Sequence, residues 1–351
     1  MTWPLYGGYN FIRHIDIYLC IEKLLILNRT ISIVGVKKEV DFMKKINLYL
    51  LTGFLGAGKT TFLTNILEDL SGEKVGVIMN EFGRISIDGE IIKKDGMEIV
   101  EINRGSIFCS CLKLNFAQAM MEIADRELKY LFVESSGLAD PSNIGEILEG
   151  IKAIKGDIYD YKAAICLVDG VNFLDQLEDL ETVERQIKHC HLAVISKVDL
   201  IDDETLAKII EKIKEINPVV PIETMEFGQL DYDFLQEDLM KYQWADIEES
   251  TNVPETKPKT LMLTFDGEIR KDDLIEFMDK IKIDAYRLKG FVKFEDGWNQ
   301  VDVVGKKIDF KLTNEEYDNS HLVIISKIGP QIIRPIANSW KDIFEIEMKL
   351  K

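Results

Sequence analysis

The 351 residues, 46% hydrophobic and 30% charged, suffice for two domains that each bury a core, and they exclude a disordered chain. Lys and Arg number 43 against 61 Asp and Glu, and the net charge of −18 repels phosphate backbones and anionic lipid, so neither nucleic acid nor membrane is an expected partner. Five cysteines, an odd number in so long a chain, make no disulfide framework and point to a reducing, cytoplasmic setting.

The apolar N-terminal stretch IDIYLCIEKLLILNRTISIVGV is broken by Asp16, Glu22, Lys23 and Arg29, and so cannot span a bilayer uninterrupted. No basic region or small-residue cleavage site makes it a signal peptide. Residues 1–42 fit nothing downstream. Codons AAG-GAG-GTN for Lys38-Glu39-Val40 would form a ribosome-binding sequence just before the ATG of Met43. Translation is therefore expected to start at Met43, with residues 1–42 a non-native or disordered extension. An intact mass that includes Met1 in the natively expressed protein would refute this and leave a natural extension.

From Met43 onward, unalternating apolar runs (INLYLLT, KVGVIMN, EIVEI, YLFVE, AAICLVD, LAVIS, VPIET) read as strands covered on both faces. Between them lie helical stretches such as TTFLTNILEDL, LNFAQAMMEIADREL and DDETLAKIIEKIKEI. Residues 43–243 are thus expected to form an α/β domain with a doubly wound, mostly parallel sheet. Residues 244–258 are polar, proline-bearing and aperiodic, as a linker is. Over 259–351, KTLMLTF, RKDDLIEFMDKI, GFVKFED, NQVDVVG, HLVIISKIG and PIANSWKDIF suggest a small α+β domain with a mostly antiparallel sheet.

The first strand runs into GFLGAGKTT and then a helix, the context in which G-x-x-x-x-G-K-[ST] is a phosphate loop. Gly53, Gly56 and Gly58 let backbone amides converge on phosphate oxygens, with Ala57, Lys59, Thr60 and Thr61 completing the binding stretch. Lys59 is expected to reach the β and γ phosphates, and the Thr60 hydroxyl to ligate Mg²⁺. In YLFVESSGLADP, Glu134 ends a strand and can hold Mg²⁺ directly or through water, while the Gly137 amide can sense the γ-phosphate. In LAVISKVDL, the Asp199 carboxylate can accept from guanine N1–H and N2–H₂, a donor pair adenine lacks, which selects GTP over ATP. Ser196 stands where Asn is usual in this motif, and Lys197 lies between them. Read without a ligand, Lys197 and Asp199 are solvated loop charges.

Together these residues resemble the CobW-like family of P-loop GTPases, which includes metallochaperones and cobalamin- or nitrile hydratase-associated proteins. GFLGAGKTT, MNEFGRISIDGEII, ESSGLADP, ERQI and ISKVDL stand in the family's order, and RLKGFV resembles its C-terminal module. The resemblance implies a switch region at Asn80, Glu81, Phe82, Gly83 and Asp88, with Glu81 and Asp88 organising catalytic water, Mg²⁺ or a transferred metal. Solvated loop acids are the alternative.

Family members carry Cys-x-Cys-Cys after a glycine and bind a transition metal such as Zn²⁺ there. Aligned on Gly105, this chain has Ser106, Phe108 and Cys109, so Cys109 alone keeps its place, and Cys111 is new. In an extended segment Cys109 and Cys111 share a face and can converge on one ion. Glu81 can add an oxygen, and Lys113 favours the thiolates. Two small buried thiols are the equal alternative. The trio His189, Cys190 and His191 precedes its strand, at the end away from the nucleotide, and reads as ordinary structure.

The expected function is a GTP-binding protein and slow GTPase, since no arginine finger is evident. It would couple nucleotide state to delivery of a metal or metal cofactor to a client metalloenzyme or cofactor-dependent protein, with GTP and Mg²⁺ as cofactors and a GTP-dependent homodimer as a further expectation. The alternative is a GTP-gated activator of a corrinoid or metalloenzyme that holds no metal itself. A small-molecule P-loop kinase leaves SKVDL unexplained.

Overall fold

Apolar runs without polar alternation need cover on both faces, and the chain supplies it by alternating strand and helix. The computed structural model describes residues 45–80, 98–102, 113–139, 141–246 and 258–351. Its first part runs β1 (Ile46–Thr52), α1 (Lys59–Asp69), β2 (Val75–Asn80), β3 (Glu98–Ile102), α2 (Lys113–Ile123), β4 (Tyr130–Glu134) and α3 (Ile144–Lys155). It continues with β5 (Tyr159–Asp169), α4 (Phe173–Asp179), α5 (Glu181–Lys188), β6 (Leu192–Ser196), α6 (Asp203–Ile216) and β7 (Ile222–Met225). These seven strands form one sheet in the order β3-β2-β4-β1-β5-β6-β7, every pair parallel.

Alternate residues of β1 point to opposite faces. Leu48 and Leu50 pack with Phe116 and Met120 of α2, Ile147 and Ile151 of α3, Ile187 of α5 and Ile209 and Ile213 of α6. Tyr49 and Leu51 pack with Phe62, Leu63 and Ile66 of α1 and with Tyr232 and Phe234, where the chain returns after β7. Capping also sets local boundaries: Asp202 accepts the Thr205 amide at 2.8 Å and starts α6.

The second sheet holds β8 (Thr260–Phe265), β9 (Ala285–Phe294), β10 (Gly297–Val304), β11 (Lys307–Leu312), β12 (Ser320–Ser326) and β13 (Met348–Leu350), with α7 (Lys271–Ile281) and α8 (Ile333–Ile343) against it. Its order is β11-β10-β9-β12-β8-β13, all antiparallel. Burial alternates along β8, so one face is covered, and Phe265 and Phe277 meet Trp340 of α8 at centroid distances of 4.8 and 5.2 Å.

Three differences from the sequence-based expectation have local causes. Helix α2 stops at Ile123 rather than Leu128, and the Leu128 side chain closes over Gly76 of β2. Strand β5 begins at Tyr159, where the polar-alternating Tyr159-Asp160-Tyr161 still pairs with β1. Strand β13 is three residues long and exists by pairing with β8.

Candidate functional site

In a parallel sheet the carboxyl ends of all strands share one edge, where ligands bind. Here Thr52, Glu134, Asp169, Ser196 and Met225 end β1, β4, β5, β6 and β7 there. After Thr52 the chain turns through Gly53, Gly56 and Gly58, with φ of 128°, 79° and 89°. Glycine is required at position 53 for a second reason: an ideal Cβ there would lie 2.2 Å from the Leu167 carbonyl oxygen of β5. The Ala57 amide donates back to Phe54 at 3.2 Å, and α1 opens with the Phe62 amide on Gly58 at 2.9 Å. The amides of Lys59, Thr60 and Thr61 precede the first intrahelical bond, which leaves them to an anion at the helix N-terminus.

The loop closes over its own lysine. Lys59 is buried, and Nζ donates to the carbonyls of Gly53 at 2.7 Å and Phe54 at 3.1 Å. Carbonyl dipoles compensate a buried ammonium less than a phosphate charge does. Beside it, Thr60 Oγ1 donates to Glu134 Oε1 at 3.4 Å. A hydroxyl and a carboxylate are hard oxygens, the donor class that Mg²⁺ takes, so this pair fits that ion. The hydroxyls of Thr52, Ser135 and Ser136 are buried at the same edge without a hydrogen-bond partner. Each such group costs about 1–3 kcal/mol, and a cluster of them suits a polar ligand.

Gly137 lies against the loop, since an ideal Cβ there would sit 2.6 Å from the Leu55 nitrogen. Gln186 of α5, fully buried, donates to the carbonyls of Ala139 at 2.9 Å and Gly137 at 3.3 Å. Its neighbour Arg185 donates to Ser142 Oγ at 3.1 Å. ERQI thus braces the segment after β4. A glutamine between the core residues Val183 and Ile187 was the available signal for this contact.

At the other end, Lys197 adopts a left-handed conformation with φ of 59°, and its Nζ lies 2.8 Å from Asp169 Oδ2, whose side chain is wholly buried. Asp169 also accepts from the Val171 amide and Asn172 Nδ2, each at 3.0 Å. Sequence reasoning had missed Asp169, which fixes Lys197 and thereby the SKVD turn. The Ser196 hydroxyl lies 2.8 Å from the Ala57 carbonyl oxygen and 3.1 Å from that of Val168, so it ties β6 to the phosphate loop. Asp199, half-buried, accepts the Phe227 amide at 3.3 Å.

The second sheet reaches this edge as well. Tyr286 meets Phe54 edge-on at 5.5 Å, and the Val304 side chain stands 2.6 Å from an ideal Cβ at Gly56.

Glu81, Phe82, Gly83, Asp88, Cys109 and Cys111 lie outside the described residues. Asn80 and Ile102, where β2 and β3 end, are register partners. The His189-Cys190-His191 trio lies at the opposite edge. His191 Nδ1 accepts the Ala164 amide at 3.0 Å, and burial pulls its pKa down to about 4, which keeps the ring neutral. The Cys190 thiol donates to Ile187 at 3.2 Å, and burial raises its pKa well above the ordinary thiol value.

Residues 47–223 match the CobW/HypB/UreG nucleotide-binding domain, and residues 259–334 the cobalamin synthesis protein CobW C-terminal domain. The zinc chaperone YjiA of Escherichia coli strain K12 is 31% identical over 199 residues, 55% of this chain and 61% of that protein. The zinc chaperone CobW of a Sinorhizobium species is 30% identical over 199 residues, 48% and 55% of the two chains. Zinc-regulated GTPase metalloprotein activator 1 of Schizosaccharomyces pombe is 30% identical over 191 residues, 52% and 46% of the two chains. The matches thus span less than two thirds of these relatives' length. The solved Zn(II)-bound YjiA GTPase from E. coli aligns at 20% identity over 86% of this chain and 100% of that one, with a TM-score of 0.43.

Proposed function

Because the chain belongs to the CobW/HypB/UreG family of nucleotide-binding proteins, we propose that it binds Mg²⁺·GTP, hydrolyses it slowly, and uses the nucleotide state to deliver a metal to a client protein. The observation that carries the nucleotide half is the meeting, at one sheet edge, of the buried Lys59, the Thr60–Glu134 pair and the Ser196-Lys197-Val198-Asp199 turn. The names of the relatives support zinc as the cargo.

On binding, Lys59 exchanges two carbonyl partners for the β and γ phosphate oxygens, and the amides of the loop and of α1 receive the remaining charge. Thr60 and Glu134 would hold Mg²⁺, which would neutralise phosphate charge. The Gly137 amide, held by Gln186 through the segment's carbonyls, donates to the γ-phosphate while water attacks in line. Ser196 and Lys197 position Asp199 for the guanine edge.

Cys109 and Cys111, with Glu81, are the proposed ligands for the cargo. Two thiolates and one oxygen leave a tetrahedral ion open to a partner's ligand, which suits transfer better than storage. Client binding, GTP-dependent dimerisation and a cytoplasmic location complete the proposal. Among the described residues no helix is long and apolar enough to cross a membrane.

Zn²⁺ titration of the GTP-loaded protein, Cys109→Ser and Cys111→Ser tests this reading. Stoichiometric binding in the parent and its loss in both variants is the expected result. The reduced cysteine motif favours a second reading, the GTP-gated activator, and absence of binding in every form would decide for it.

A further inference from the structure

Among the described residues two that are not glycine have positive φ, Lys197 at 59° and Phe227 at 50°, and both adjoin Asp199. Lys197 lies two residues before it, and the Phe227 amide donates to its Oδ1 at 3.3 Å. Phe227 is also 78% exposed, the largest exposure of any bulky apolar side chain among the described residues. A phenyl ring in a left-handed turn, turned out to water, is disfavoured twice over, and strain of this kind gathers at ligand sites.

The turn is closed by a backbone hydrogen bond and held against its neighbours. The Gln229 amide donates to Glu226 at 2.8 Å, and Phe227 and Gly228 both have positive φ, a pair of positions that favours Asn-Gly. The Gly228 carbonyl accepts from the Asn65 side chain of α1, and an ideal Cβ at Gly228 would lie 2.9 Å from Thr61 Cγ2. Just before the turn, Met225 Cε lies 3.6 Å from an ideal Cβ at Gly58. The turn is therefore pinned to the helix whose N-terminus faces the phosphates, with its ring free beside the carboxylate assigned to the base.

We propose that Phe227 is the stacking platform for the guanine ring. The purine face lies on the phenyl while its N1–H and N2–H₂ edge meets Asp199. A carboxylate offers about four lone-pair sites, so the Phe227 amide leaves room for both donors. This rests on Asp199 reading guanine, and the variants separate the two claims.

Nucleotide affinity is measured for the parent, Phe227→Ala, Phe227→Asn, Phe227→Trp and Asp199→Asn. Stacking tolerates any base, so Phe227→Ala should weaken GTP, ITP and XTP alike by about 10-fold. Phe227→Asn suits the turn better: the nucleotide-free protein should melt at a higher temperature while GTP affinity falls about 10-fold. A purely structural role would move stability and affinity together. Phe227→Trp should keep the affinity and add a GTP-quenched component to the emission of the four native tryptophans. Asp199→Asn should turn the preference from GTP to XTP, whose C2 carbonyl accepts from the amide. If Phe227→Ala and Phe227→Asn bind GTP like the parent, as a role in docking a partner would have it, this inference is overturned alone. If Asp199→Asn keeps the parent's preference, the guanine-edge assignment falls and takes it along.

Discussion

Lys59→Ala should lower the affinity for Mg²⁺·GTP by at least about 100-fold. Two or more charge-assisted hydrogen bonds to phosphate disappear, each worth about 1.5–3 kcal/mol, and about 1.4 kcal/mol is a decade in affinity. One term opposes this loss. In the nucleotide-free protein the Lys59 ammonium already bonds the Gly53 and Phe54 carbonyls, and binding must release them. Those are ion–dipole contacts, weaker than the ion pairs that replace them, so the exchange favours the nucleotide. Equilibrium dialysis against labelled GTP gives the ratio, and an affinity equal to the parent's would remove Lys59 from the site.

Gly53→Ala should destabilise the protein by about 3 kcal/mol or more, through two of the mechanisms that produce large effects, a strained φ and an overpacked contact. The φ of 128° disfavours any side chain, and the new methyl would lie 2.2 Å from the Leu167 carbonyl oxygen. That oxygen has little room to withdraw, because Leu167 pairs with Val194 of β6 and the preceding Cys166 with Thr52 of β1. Gly72→Ala is the matched control: φ is 97°, but an ideal Cβ meets nothing within 4 Å. Backbone strain alone should therefore cost Gly72→Ala about 1 kcal/mol. Thermal melting compares them. Equal shifts would mean that the contact with β5 contributes nothing.

Much of the fold was legible because its strands are unbroken apolar runs. INLYLLT, EIVEI, YLFVE and LAVIS are β1, β3, β4 and β6 to the residue. Helices α3, α4 and α5 were not picked out, since Gly145 and Gly150 dilute the helical signal of the first, and the other two have seven and eight residues. The glycine turn between β1 and α1 was legible for a related reason: it is built of consecutive residues. Asp169 and Gln186 were not, because each acts on a residue far along the chain, Lys197 in one case and the Gly137 segment in the other. Ser196, a departure from the usual asparagine, brings a hydroxyl that reaches the Ala57 carbonyl, a contact that depends on β6 lying beside the loop. Phe227 carries no signal in the sequence, since its interest lies in its φ and its bond to Asp199, 28 residues away.

Calorimetric titration of GTP into the purified protein in magnesium buffer tests the central claim most directly. The account predicts saturable heat at one nucleotide per chain, diminished by chelation of the magnesium and much weaker with ATP. No heat with GTP, or equal binding of GTP and ATP, would contradict it.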